Sequence, residues 1–201
     1  MSGRYDEDDR MELWFGAPGG ASTAGLASRA LLLALLALAT VRFLRHGLDA
    51  DYLGASFLHL VNLPFHEAGH VLFAPFGRFM TTLGGSLMQV AVPLVCAVVF
   101  LVKTRDPFAS SAAAWWTGQN LLDLAPYIAD ARALQLVLLG GRTGAEVEGH
   151  DWEYILQTLG WLHHDVALGR ASFASGCMLM VAALAWGAAV LLRQYRSLRA
   201  A

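Results

Sequence analysis

Four stretches of this 201-residue chain are apolar for long enough to cross a lipid bilayer, and nothing else about the sequence limits its fold so strongly. The hydrocarbon core of a bilayer is about 30 Å thick, so a helical span needs roughly 20 mostly apolar residues. Residues 26–44 run into Arg42, Arg45 and His46; residues 53–75 hold a few polar groups; residues 83–102 stop at Lys103 and Arg105; residues 171–192 stop at Arg193, Arg196 and Arg199. Backbone amides in lipid must find partners within the protein, which leaves helices or a closed barrel as spanning structures. Runs of this length and continuity point to helices. The chain is 56% hydrophobic and only 15% charged, against about 25% charged for soluble domains. A net charge of −2 supplies no basic footprint for nucleic acid. Cys96 and Cys177 both sit in apolar runs, which excludes a disulfide framework and a four-cysteine zinc site.

A fifth span is expected at 115–139, closed by Gly140 and Gly141, with Trp115 and Trp116 as an interfacial belt. Starting it at Ala109 instead would leave the segment ALQLVLL too short to cross. The expected architecture is therefore an all-α polytopic membrane bundle of five helices, forming one domain over 26–200. An acidic, solvated arm over 1–25 precedes it, beginning with Asp6, Glu7, Asp8, Asp9 and Glu12 rather than the basic region of a secretory signal. Trp152, Tyr154, Ile155, Leu159 and Trp161 suggest a short amphipathic helix at the interface. The basic residues favour the N-terminus outside and the C-terminus inside by a small margin.

The second run contains His66-Glu67-Ala68-Gly69-His70, a match to H-E-x-x-H. Four residues make a little over one helical turn, so both imidazoles face one way and can share one zinc ion. The adjacent glutamate can then serve as general base toward a water on the metal. Three ionisable residues within five positions of an apolar span argue against chance, because each costs about 2.5–3.5 kcal/mol at mid-membrane.

A catalytic zinc takes three protein ligands and keeps a fourth position open. Asp130 is the leading candidate for the third. It stands fifteen residues into the 115–139 span, while His66 and His70 stand thirteen and seventeen residues into the parallel span 53–75. Asp123 fits better if that span begins at Ala109. Asn120, Asp123, Tyr127 and Asp130 form one helical stripe, which interhelical hydrogen bonding would also explain.

FHEAGH followed by GGSLMQ and NLLDLAPYIADAR resembles the site-2-protease family of intramembrane zinc metalloproteases. The resemblance covers about residues 60–136. It implies a metallopeptidase that cleaves transmembrane or membrane-associated proteins, with one zinc held by His66, His70 and Asp130 and with Glu67 as general base. It also implies that Asn120 holds the oxyanion or the substrate strand. The sequence departs from the family pattern at Ala131, where glycine is usual, in the spacing from Pro126 to Asp130, at Gln89 in place of asparagine, and at Ser86 in place of proline.

Alternative readings are a membrane metal transporter, a di-iron oxygenase and a catalytically silent scaffold. Five spans are few for the first, and 7 histidines are too few for the second. His59 lies two helical turns before His66, as a support for the site or as an interhelical partner. His150-Asp151 and His163-His164-Asp165 read as surface residues of the polar connection, with a cap or an extra ligand as the alternative.

Overall fold

The computed structural model describes residues 11–16 and 22–200. Asp6, Glu7, Asp8 and Asp9 of the acidic arm lie outside the described residues. The described chain is all-helical, with a single isolated antiparallel bridge between Val137 and Thr143. In order, the helices are α1 (Thr23–His46), α2 (Ala50–Gly54), α3 (Phe57–Phe73), α4 (Arg78–Val102), α5 (Pro107–Ala129), α6 (Asp151–Thr158) and α7 (Asp165–Ala200). Single 3-10 turns occupy Ala74–Phe76 and Leu162–His164.

Local chemistry sets most of the boundaries. Ser56 caps α3 by accepting from the His59 amide at 3.1 Å, Asp106 caps α5 by accepting from the Ala109 amide at 3.1 Å, and His150 caps α6 by accepting from the Glu153 amide at 3.2 Å. Gly77, at φ +88°, makes the turn between the first 3-10 segment and α4, a conformation that disfavours any residue with a Cβ.

Three helical stretches are long and apolar enough to cross a membrane: Thr23–His46, Arg78–Val102 and Leu162–Ala200. The 17-residue α3 is shorter than these, and α5 is interrupted by Thr117, Gln119, Asn120 and Asp123.

The expected helix over 115–139 is instead Pro107–Ala129. Proline suits the first helical position, where its missing N–H has no intrahelical partner. At the other end the Asp130 carboxylate accepts from the amides of Gln135 at 3.0 Å and Leu136 at 2.9 Å, which folds ALQLVLL into a turn rather than another coil of helix. Trp115 is correspondingly not at an interface: it is 2% exposed, and its indole N–H donates to Thr40 Oγ1 at 2.8 Å.

The chain divides into two compact units, whose boundaries fall within α4, α5 and α7. The first takes in the described residues up to Leu44, Pro93–Thr117 and those from Met178 onward. Phe108, Val190 and Leu191 form its core, with Phe15, Leu26, Leu33 and Trp186 packed around them. An ion pair within it joins Arg29 Nη2 to Asp106 Oδ2 at 2.8 Å, and Arg29 Nη1 also donates to Gln194 Oε1 at 3.1 Å.

The second unit comprises Arg45–Val92 and Gly118–Cys177. Small residues bring its helices together, as packing between apolar helices requires. A Cβ on Gly169 would stand 2.6 Å from the Ala125 carbonyl oxygen, and one on Gly176 would stand 2.5 Å from that of Gly118. Ser172 Oγ donates to the Leu121 carbonyl at 2.7 Å between the same two helices. A Cβ on Gly69 would run into the backbone of Gly84, and one on Gly84 would sit 2.7 Å from the Gly69 oxygen. This crossing of α3 and α4 fixes the histidines.

Candidate metal centre

His66 and His70 lie on the face of α3 that meets α4 around Gly69. Each imidazole uses its Nδ1 on α4. His66 Nδ1 is 2.9 Å from Gln89 Oε1, and His70 Nδ1 is 2.9 Å from the Thr81 carbonyl oxygen. A backbone carbonyl can only accept, so His70 carries a proton on Nδ1. The Gln89 amide is oriented by Asp123, which accepts from its Nε2 at 2.9 Å, so its oxygen faces His66 and takes a proton from that Nδ1 as well.

The two Nε2 atoms then face one carboxylate oxygen. Asp151 Oδ2 is 3.0 Å from His66 Nε2 and 3.3 Å from His70 Nε2, and the three ligand atoms all lie within 4.8 Å of one another. Two charge states are possible. With second protons on the imidazoles, the trio is an ion-pair cluster. With neutral imidazoles, three acceptors converge with no hydrogen between them, an arrangement that only a cation stabilises. Burial pushes the Asp151 carboxyl up, but hydrogen bonds from the two histidines outweigh it and hold it below the usual carboxylate range.

The space between the rings depends on a missing side chain. A Cβ on Gly85 would stand 2.6 Å from His66 Nε2 and 2.7 Å from His70 Nε2. Only glycine at this point of α4 leaves both nitrogens accessible. Two imidazole nitrogens and one carboxylate oxygen form the His₂-carboxylate donor set of many zinc hydrolases, so the residues present fit that metal.

The trio opens into a cavity of about 410 Å³. Glu67, Asp123, Glu148, Asp151 and three histidines (His59, His66 and His70) line it together with Leu63, Leu136 and other apolar residues. Its described lining includes no lysine or arginine. Glu67 is exposed on that lining, one residue from a ligand nitrogen.

Asp130, expected as the third ligand, is not in this trio. Its two oxygens are taken by the amides of Gln135 and Leu136, and its nearest imidazole is that of His150, at 3.5 Å from Oδ2. The depth comparison that favoured it presumed a helix running on to 139, whereas α5 ends at Ala129. His150 and Asp151, read as surface residues, belong to the interior. His150 is 2% exposed, and burial pushes its imidazole below the ordinary value despite the neighbouring Asp130, Asp151 and Glu153. Its Nδ1 accepts the Glu153 amide, so its proton sits on Nε2, toward Asp130. Tyr127 Oη accepts from the Asp151 amide at 2.9 Å, and the Trp152 indole N–H donates to Ser86 Oγ at 3.2 Å. These contacts place Asp151 against the histidines from a segment more than eighty residues away in sequence.

Asp165 is buried too, taking Arg132 Nε and Nη2 on one oxygen, each at 2.8 Å. Asn120 is fully buried on α5 and is not part of the cavity lining, so the structure does not bring it to the trio. Sequence reasoning held Asp151 only as the less favoured alternative, a cap or an extra ligand, and missed Gly85. Gly149-His150-Asp151 carried a faint signal for the first, a helix cap placing a carboxylate at the first helical position.

Comparison with protein-family models, with curated proteins and with solved structures finds no match to the chain.

Proposed function

We propose that the protein is a membrane-embedded zinc metallopeptidase of the site-2-protease type, acting on transmembrane or membrane-associated proteins. The observation that carries this reading is the convergence of His66 Nε2, His70 Nε2 and Asp151 Oδ2 on a point kept open by Gly85. On this reading α1, α3, α4, α5 and α7 cross the bilayer, α3 being just within the shortest spans seen, with the N-terminus outside.

His66, His70 and Asp151 would hold the ion, with Asp151 in the role that the resemblance gives to Asp130. Zinc bound there supplies a Lewis acid and lowers the pKa of water toward neutrality. The chain's own groups do the rest. Glu67, on the cavity wall beside His66, takes the proton of the attacking water and returns it to the departing amine. Gln89 and Thr81 keep both imidazoles in the tautomer that leaves Nε2 unprotonated. A substrate helix must unwind to present a carbonyl, because its amides are already hydrogen-bonded; the leucines and valines of the cavity lining offer an apolar surface for the unwound segment.

Two measurements on full-length protein in detergent test this. Elemental analysis should find one zinc per chain, lost in His66→Ala. Glu67→Gln should keep the zinc and cleave a transmembrane helical peptide at least about 100-fold more slowly, the range for loss of a general base. Zinc retained in full by His66→Ala removes the metal assignment. Unchanged cleavage by Glu67→Gln removes the mechanism.

A further inference from the structure

Beyond accepting from Gln89, one buried carboxylate has no role in the chemistry above. Asp123 lies in the middle of α5 with its side chain 2% exposed. Among the described residues no lysine or arginine pairs with it. Its oxygens take His59 Nδ1 at 3.1 and 3.2 Å, Asn62 Nδ2 at 3.1 Å and Gln89 Nε2 at 2.9 Å. Asn62 also donates to Gln119 Oε1 at 2.9 Å. A carboxylate in such a place is costly, and helix packing alone does not require one, since a serine or an amide would join the same helices.

What a carboxylate does here that an amide cannot is accept without ever donating. Gln89 has two ends that differ only in hydrogen-bonding sense. With an acceptor-only group beside it, the NH₂ end must face Asp123 and the oxygen must face His66. That oxygen then takes the Nδ1 proton of His66, and Nε2 is left with its lone pair directed at Asp151. Reversing the amide would set an N–H against the Nδ1–H and move the imidazole proton onto Nε2, where it would block a metal. His70 needs no such device, because a backbone carbonyl already fixes its tautomer.

We propose that Asp123 is a positioning residue for the metal centre, acting through the Gln89 amide to fix His66 in the tautomer whose Nε2 lone pair faces the site. This rests on the metal reading given above. Outer groups that orient metal-bound histidines typically contribute 10–100-fold to metal affinity. Asp123 differs from the usual carboxylate–histidine pair in reaching its histidine through an intervening amide.

The test is a double-variant cycle on full-length protein in detergent, with Zn²⁺ titrated against a competing chelator. Gln89→Met and Asp123→Leu should each weaken zinc about 10–100-fold. The double variant should be no weaker than either single, because both changes release the same imidazole. Asp123→Asn should weaken zinc less than Asp123→Leu does, since its amide can present an oxygen to Gln89 but can also present its NH₂ group. Thermal unfolding of each metal-free variant separates loss of packing from loss of affinity, since a merely structural role lowers the melting temperature without this pattern in affinity. If Asp123→Leu does not fold, Asp123→Ala takes its place, with the same expected loss and the same cycle with Gln89→Met. Additive losses in the double variant overturn the proposal, because Asp123 would then act independently of Gln89. Abolition of binding by Asp123→Asn overturns it too, by making Asp123 a ligand. A wild-type chain that takes up no zinc removes the metal reading itself, a result distinct from either.

Discussion

The ion pair of the first compact unit and the cavity of the second handle polar groups in opposite ways. In the first, the half-buried Arg29 guanidinium pairs with Asp106 at 2.8 Å, and neutral groups pair singly, as Trp115 does with Thr40. In the second, four acidic residues and three histidines line one cavity whose described lining has no lysine or arginine. Pairing of the first kind closes a structure. Convergence of acceptors of the second kind leaves a requirement that the protein alone does not meet except by protonating its histidines. In apolar surroundings that difference separates polar residues that hold helices together from polar residues arranged for a ligand.

Matched glycine variants break this comparison most sharply. Gly85→Ala would place a methyl 2.6–2.7 Å from both Nε2 atoms, and zinc binding should be lost in a chelator titration. Gly187→Ala, in the first unit, would place one 2.8 Å from Ser111 Oγ and 3.1 Å from a Leu33 methyl. It should lower the melting temperature, at a cost of about 1–3 kcal/mol for overpacking, and leave zinc affinity as it was. If Gly85→Ala binds zinc normally, the ion does not lie between those rings.

The two aspartates of the connection come next. Asp151→Asn should weaken zinc by more than 100-fold, since it replaces a charged ligand with a neutral one. Asp130→Asn should weaken it by about 10–100-fold, the size of an orienting effect, because Asp130 holds the turn at Gln135 and Leu136 and faces His150, the residue next to Asp151. The reverse order would return the third ligand to the residue that the family resemblance implies.

That order also marks how far the sequence could be read. The pair His66 and His70 was legible because helical spacing alone sets which way two residues four apart point. The helical class and the membrane-length runs were legible from apolar content. The end of α5 was not, since ALQLVLL is as apolar as a continuing helix. What turns it is a local choice that apolar periodicity does not register, the Asp130 carboxylate capping amides five and six residues on. With the helix end misplaced, depth selected the wrong aspartate for the trio. Asp151 was reached only as an alternative to a surface reading, because its position depends on Tyr127 accepting its amide and on a buried histidine cap. Gly85 was visible only as half of a Gly-Gly pair, and what its missing Cβ leaves open depends on where the rings stand.

The smallest effect concerns the ion pair of the first unit, where metal affinity should not move at all. Arg29→Met removes the partner of Asp106 and the donor to Gln194 Oε1, leaving a carboxylate whose side chain is only 19% exposed. Loss of a hydrogen bond to a charged group costs about 1.5–3 kcal/mol, so the melting temperature in detergent should fall by a few degrees. Asp106 has a second task, since its Oδ1 caps α5 through the Ala109 amide. Asp106→Asn keeps an oxygen for that cap and removes the charge, so combining it with Arg29→Met should recover part of the loss. Removing both partners of a buried pair is generally less harmful than removing one. Throughout this series the zinc titration should be superimposable on that of the wild type. A shift in affinity comparable to that of Asp130→Asn would mean that the first unit's charges also tune the metal centre, and the division between closing pairs and converging acceptors would not hold.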